Sequence, residues 1–458
     1  METEDIDYIE YIEYTDAPYI TMTRRSIPVH APAGANRGPE VHSSQRLPGE
    51  AGSMRPIGLA RLGLAAVLSL LVVVAPATAG TDDTFNLSAG VAVQHDDNLF
   101  RLSSSANART ALGKPTKADD ITVTSVALKL NKQVSLQRVE LEASLSDHRY
   151  STFDYLNYLA RNYAATWRWQ VTPYLHGKLS SDRTESLNSF IDYTGYRTRN
   201  LRTDENQRFD SVFEVGSAWR ILAGVVQTTR TNSALFSQEG DNRLISAEGG
   251  LRYDFRSGAS LSALARNGRG EYFNRGEPLT VPVLDNRFDQ NESEIRLHWP
   301  LTGKATLDLR AARIERTHAH FSERDFAGPV GAVSLYLKIT DKTSLTASLG
   351  RELSSYQSLA SSAISTDRLV ISPSWQIGMK TALRARYDYA RRDFQGAITA
   401  SPLNDRFDTQ HSAMLALEWQ PVHDLALNAS LQNDRRTSNL PGYDYDSKMA
   451  AISAQFTF

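Results

Sequence analysis

From Gly80 to the C-terminus, apolar and polar residues alternate along segments of about ten residues separated by turn formers, and no long stripe at helical spacing interrupts them. In the first segment Phe85, Leu87, Ala89, Val91 and Val93 share one face, while Asn86, Ser88, Gly90, Ala92 and Gln94 share the other. The same rule sets Val139, Leu141, Ala143 and Leu145 against Glu140, Glu142 and Ser144, and Leu383, Ala385, Tyr387 and Tyr389 against Arg384, Arg386 and Asp388. Successive side chains of a strand point to opposite faces, so each segment predicts a strand with one face suited to lipid and one to water.

The connections alternate in length. Short turns are expected near Asn131-Lys132, Thr172-Pro173, Leu222, Ser257-Gly258, Thr302-Gly303, Asp341-Lys342, Met379-Lys380 and Val422-His423. Longer polar loops lie between them, among them 96–120, 181–207, 271–290 and 392–407. Eight turns imply sixteen strands, and segments at 84–94 and 447–458 raise the count to about eighteen. The predicted fold is all-β: a transmembrane antiparallel up-and-down β-barrel of the outer-membrane type, spanning residues 80–458. In such barrels the short turns face the periplasm, and an even strand number returns both ends there.

Tryptophan placement points the same way. Trp169, Trp219, Trp299, Trp375 and Trp419 are each expected to end a strand just before a short turn, with Trp167 two residues earlier on the same face as Trp169. Indole rings prefer the headgroup level, so the six read as a periplasmic girdle, joined by Tyr253 and Phe255. A soluble sandwich core would not place them so regularly at strand ends. The chain finishes Ile452, Ala454, Phe456, Phe458 on one face, which resembles the assembly signal read by the outer-membrane barrel assembly machinery. Closure is also a physical demand, because an open sheet edge in hydrocarbon leaves backbone groups unpaired.

Upstream, Leu62–Val74 is apolar, preceded by Met54, Arg55 and Arg61 and followed by Ala77-Thr78-Ala79. These are the parts of a secretory signal peptide over 54–79, with cleavage after Ala79. The run is too short for an anchor helix, which needs roughly 20 apolar residues. Residues 1–53 would then be a non-native or disordered extension, with translation starting at Met54; N-terminal sequencing of exported protein is the check.

Composition narrows the function. Charged residues make up 22%, the net charge is −2 and mean hydropathy is −0.39, which excludes a polytopic helical transporter and gives no basic excess for nucleic acid. With no cysteine, disulfide scaffolds, thiolate metal sites, thiol catalysis and a lipoprotein anchor are excluded. No metal site of recognisable spacing, nucleophile elbow or phosphate-binding loop stands out, so no cofactor and no enzymatic activity are expected. His318 and His320 sit beside Glu323 and Asp325 in what reads as a solvated loop, and Asp96-Asp97-Asn98 reads as a cap on the first strand.

The water-facing set is more informative. With Leu, Val and Trp turned to lipid, the inward residues include Arg168, His176, Asp210, Glu214, Arg252, Asp254, Arg296, His298, Asp308, Arg310, Tyr336, Arg384, Arg386 and Asp388. An eighteen-strand barrel leaves an aqueous lumen, so these residues either line a pore or salt-bridge across a filled interior. Loop aromatics such as Phe153, Tyr155 and Tyr158, or Phe190, Tyr193 and Tyr196, read as an outer girdle, with stacking on sugar rings as the alternative.

Six segments carry a family resemblance: Gln94-His95-Asp96-Asp97-Asn98-Leu99-Phe100-Arg101, Ser186-Leu187-Asn188-Ser189-Phe190, Thr198-Arg199-Asn200-Leu201-Arg202-Thr203-Asp204-Glu205-Asn206, Gly268-Arg269-Gly270-Glu271-Tyr272, Arg386-Tyr387-Asp388-Tyr389-Ala390-Arg391-Arg392-Asp393-Phe394 and Ser438-Asn439-Leu440-Pro441-Gly442-Tyr443-Asp444-Tyr445. Over nearly all of the chain after Ala79 it resembles the exosortase-associated extracellular-polysaccharide biosynthesis outer-membrane proteins called EpsL. The resemblance implies a role in exopolysaccharide production at outer-membrane passage in a Gram-negative bacterium, and brings no catalytic residues. The expected partners are the lipid bilayer of the outer membrane, the barrel assembly machinery, exopolysaccharide, and inner-membrane polysaccharide export proteins at the periplasmic turns. Three functions follow for test: a passive exit conduit, a plugged structural or assembly barrel for polysaccharide synthesis or surface-protein sorting, and an outer-membrane hydrolase.

Overall fold

The computed structural model describes residues 84–192, 197–275, 284–358, 361–396 and 405–458. The signal peptide, the Ala79 cleavage site, the extension before Met54, and Tyr193 and Tyr196 lie outside the described residues. Eighteen strands follow one another: β1 (Phe85–Asp96), β2 (Asp119–Val134), β3 (Gln137–Tyr150), β4 (Tyr158–Thr172), β5 (Leu175–Leu187), β6 (Leu201–Val215), β7 (Trp219–Asn232), β8 (Asn242–Asp254) and β9 (Ser260–Tyr272). The second half holds β10 (Arg287–Thr302), β11 (Ala305–His318), β12 (Phe326–Lys338), β13 (Thr343–Ser358), β14 (Ser361–Gly378), β15 (Thr381–Gln395), β16 (Phe407–Val422), β17 (Leu425–Ser438) and β18 (Tyr445–Thr457). Each pairs antiparallel with its chain neighbours, and β1 pairs with β18, so the sheet closes. Closure gives every strand two partners, the condition for a sheet to cross hydrocarbon.

The period-two pattern becomes two surfaces. On β10, Ile295, Leu297, Trp299 and Leu301 face out, while Phe288, Gln290, Glu292, Glu294, Arg296 and His298 face in. Exposed outward residues such as Leu145, Phe209, Ile221, Val225, Leu251, Leu415 and Leu431 continue the apolar belt round the wall. At the seam, Phe456 lies opposite Ala89 and Leu425, and the Phe458 N–H donates to the Leu87 carbonyl at 2.7 Å. The terminal phenylalanines thus fasten the last strand to the first.

All six tryptophans face outward near the short-turn rim. Trp219, Tyr253 and Phe255 stack edge-on there at 4.9 and 4.8 Å. Trp219 opens β7 after the turn rather than closing β6 before it, because the reversal falls at Gly216–Ala218 and not near Leu222. Gly216 makes it at φ 66°, a conformation open to glycine, with no proline or asparagine to advertise it. Likewise β2 runs to Val134 and turns at Ser135–Leu136, past Asn131-Lys132. The strands also reach further outward than the polar loops suggested: 181–187 and 201–206 belong to β5 and β6, paired from Ser181↔Gln207 to Leu187↔Leu201. Polar residues can be strand there because the ladder is made by backbone groups, which the β5–β6 pairing satisfies whatever side chains they carry.

The loops at the other rim fold inward. Leu99, Phe100, Leu102, Leu112, Phe153, Leu156 and Phe190 from three connections bury against Ile121, Tyr150, Tyr158 and Leu187 of the wall. Phe100 meets Phe153 and Phe190 edge-on at 4.7 and 3.9 Å. Phe153, Tyr158 and Phe190 therefore do not form an outer girdle; they build a small apolar core inside the outer mouth, because three loops can shield one another there from water.

Candidate functional site

The site is the barrel interior. Its wall carries a chain of alternating charge that crosses six neighbouring strands. Asp210 holds Arg208 at 2.7 Å; Arg208 reaches Glu248 on β8; Arg266 on β9 bonds Glu248 at 2.8 Å and Glu292 on β10 at 2.7 Å. Arg310 on β11 then bonds Glu292 and, at 2.6 Å, Glu294, which also holds Arg296. Each link joins residues of one strand or of adjacent or next-adjacent strands, so the chain follows the wall. Glu248, Glu292 and Glu294 are at most 5% exposed, so these charges persist only because each is answered by hydrogen-bonded partners.

The inward residues read from the sequence all fall on the inner face. Arg168 pairs with Glu140 at 3.3 Å, Arg252 with Asp254 at 2.6 Å, and Arg384 with Glu418 at 2.6 Å. Asp388 joins Arg368 at 2.6 Å and Arg386 at 2.9 Å, while His176 meets Glu214 and His298 meets Asp308 at 3.3 and 2.6 Å. Tyr336 lies on the inner face between Thr306 and Thr346. They do not form one cluster. They spread round the circumference, and the centre of the wall network contains Arg208, Glu248, Arg266, Glu292 and Glu294, which the inward set had not singled out. Their signal was present as charged residues two apart, Arg208-x-Asp210 and Glu292-x-Glu294-x-Arg296.

At the outer mouth the interior is crossed. The β5–β6 connection turns inward after Leu187 and carries Asp192 to the opposite wall, where Arg392 on β15 bonds it at 3.1 and 2.8 Å. Arg406, just before β16, approaches Asp192 at 3.4 Å and bonds Asp408 at 2.5 Å. Arg436 on β17 donates to the Ile191 carbonyl at 2.7 Å. Burial alone would raise the Asp192 pKa, but Arg392, Arg406 and Arg436 outweigh it and hold the carboxyl down at about 2. Arg406 also stacks on Phe394 and Tyr443 at 4.2 and 4.0 Å, so the anchor is both charged and aromatic. Nothing in the sequence links Asp192 to Arg392, two hundred residues away.

The expected strand cap is also here. Asp96 accepts from the Asn98 N–H at 2.9 Å, from Arg101 at 2.8 Å and from Ser447 at 2.9 Å, tying the β1–β2 connection to β18. His318 ends β11 and pairs with Asp325 at 3.1 Å, while His320 bonds Asp285 at 2.7 Å. These histidines fasten loops, which corrects the reading of a purely solvated segment.

Closed antiparallel pairing, an outward apolar belt, a rim of indoles and a charged interior together define a membrane-spanning β-barrel of the outer-membrane type. No protein-family model and no curated protein matches the chain. Among solved structures it is similar to Pseudomonas aeruginosa OpdL, with 11% identity over 83% of this chain and 99% of that one at a TM-score of 0.44. It is also similar to the P. aeruginosa outer membrane protein OpdK, at 11% identity, 82% and 99% coverage and a TM-score of 0.46. OccK2 (OpdF) of the same organism gives 10% identity, 82% and 97% coverage and a TM-score of 0.47.

Proposed function

We propose that this protein is a passive outer-membrane conduit in exopolysaccharide production, whose outer mouth is narrowed by the inward β5–β6 connection. One observation carries the reading: the interior ion pairs follow the wall between nearby strands, and among the described residues those that cross the barrel meet at Asp192 in the mouth. A wall that satisfies its own charges leaves a polar lumen in which a glycan can slide without meeting an unpaired, sticky charge. The exopolysaccharide part rests on the resemblance to EpsL proteins. The six segments that carry it lie in the outer half of the barrel and its mouth loops, where an emerging polymer would be met. In this reading the bilayer surrounds the belt, the assembly machinery reads the Phe456–Phe458 end, and inner-membrane export proteins dock on the short turns.

The apolar mouth core favours a second reading, a barrel plugged at its outer end with a structural role in the synthesis or sorting machinery. Single-channel recording on the refolded chain from Gly80 to Phe458 separates the two. Open steps that added polysaccharide blocks, together with loss of secreted polymer on deletion, support the conduit. A folded, silent barrel supports the plug.

A further inference from the structure

The pairing between β12 and β13 ends early. It runs from Lys338↔Ser344 to Gly331↔Arg351 and stops, although β12 begins at Phe326 and β13 continues to Ser358. On its other side β12 stays paired with β11 as far as Phe326. The outer part of β12 is therefore a local edge within a closed barrel. Pro329, with no N–H to donate, sits in that edge, one of the few places a sheet accepts proline.

On the outward surface, where the β12–β13 pairing ends at Gly331, lies an apolar groove of about 370 Å³ that reaches the edge at Pro329 and is lined by Leu309, Ala311, Pro329, Val333, Leu349 and Arg351. Leu349 and Val333 are 60% and 41% exposed, so among the described residues no side chain covers the groove. Arg351 lines it, and Arg313 stands on the neighbouring strand beside its Pro329 end. Arg351 is held by Asp367 at 2.6 and 2.5 Å, and Arg313, the register partner of Pro329, is exposed and makes no ion pair among the described residues.

Their level in the membrane names the occupant. Arg313 lies six residues beyond Leu307, the partner of Trp299, and Arg351 eight beyond Thr343, the partner of Trp375. At ~3.3 Å per residue and ~40° tilt this is ~15–20 Å along the normal from the tryptophan rim, in the outer half of an apolar band ~25 Å tall. A lone guanidinium is costly there unless it meets an anion. We propose that this groove binds a phosphorylated, multiply acylated glycolipid of the outer leaflet, with an acyl chain along Leu309, Val333 and Leu349 and a phosphate on Arg313 and the solvent-side edge of Arg351. Phospholipid of the inner leaflet would lie at the tryptophan rim, on the wrong side of the band.

Native mass spectrometry of the detergent-solubilised barrel with bisphosphorylated lipid A, its dephosphorylated form and phosphatidylethanolamine tests the site. The expected result is one retained lipid A, preferred over both other lipids. Arg313→Gln should weaken retention about tenfold, as loss of a charge-assisted contact implies. Val333→Trp, which fills the groove, should abolish it. Arg313 holds no other charge, so its replacement leaves folding intact, and the heat-dependent gel shift of the folded barrel confirms this. Equal retention of the three lipids, or a Val333→Trp barrel that binds like the parent, overturns the proposal.

Discussion

Asp192→Asn removes the charge that ties the β5–β6 connection across the mouth. In the parent, burial works against the carboxylate, and the three arginines reverse that, taking it from 3.8 to about 2. The charged form is therefore favoured in the latched state by about 2 kcal/mol, on the order of a few tens-fold in the latching equilibrium. With 19% of its side chain exposed, Asp192 is shielded enough for most of that to survive screening. The sign follows from the lowered value. The latch holds fully above pH ~4 and is lost as pH falls from there toward 2, the opposite of a histidine-based gate. In planar bilayers the Asp192→Asn variant should show larger or more frequent conductance steps at pH ~7, resembling the parent near pH ~2. Pairing it with Arg392→Gln in a double-mutant cycle isolates the tether, because the second change should add little once the first is made. Conductance unchanged by Asp192→Asn at every pH would refute the idea that this contact narrows the mouth.

Three further outcomes are expected. Glu292→Gln deprives Arg266 and Arg310 of a buried charged partner and should cost ~3–5 kcal/mol in denaturant unfolding from lipid vesicles. Gly177→Val should destabilise by ~1–3 kcal/mol in the same assay, because even a Cβ at Gly177 would stand 2.6 Å from Cζ2 of the Trp169 ring that lies over it and stacks on Phe209. Tryptophan fluorescence should be quenched most by lipids brominated close to the headgroup; strongest quenching at the acyl-chain ends would displace the girdle from the interface.

The sequence by itself determined the strand class, the strand count and which residues face lipid. Alternation is local: Leu297 and Trp299 must oppose Arg296 and His298 whatever the partner strand, because the side-chain period of a strand is two. The rim of tryptophans followed for the same reason, since Trp299, Trp375 and Trp419 stand within a few residues of their own turns. What the tertiary structure decided was pairing. Arg310 chooses Glu292 and Glu294 only once β10–β11 register is set, and a one-residue slip would turn that face outward. The turn at Gly216 was hidden because it depends on a backbone angle, not on a turn-forming side chain. The aromatic mouth core, the Asp192 anchor and the unpaired edge at Pro329 lay deeper still. They join segments far apart in the chain, and proximity across a lumen exists only after the sheet has closed on itself.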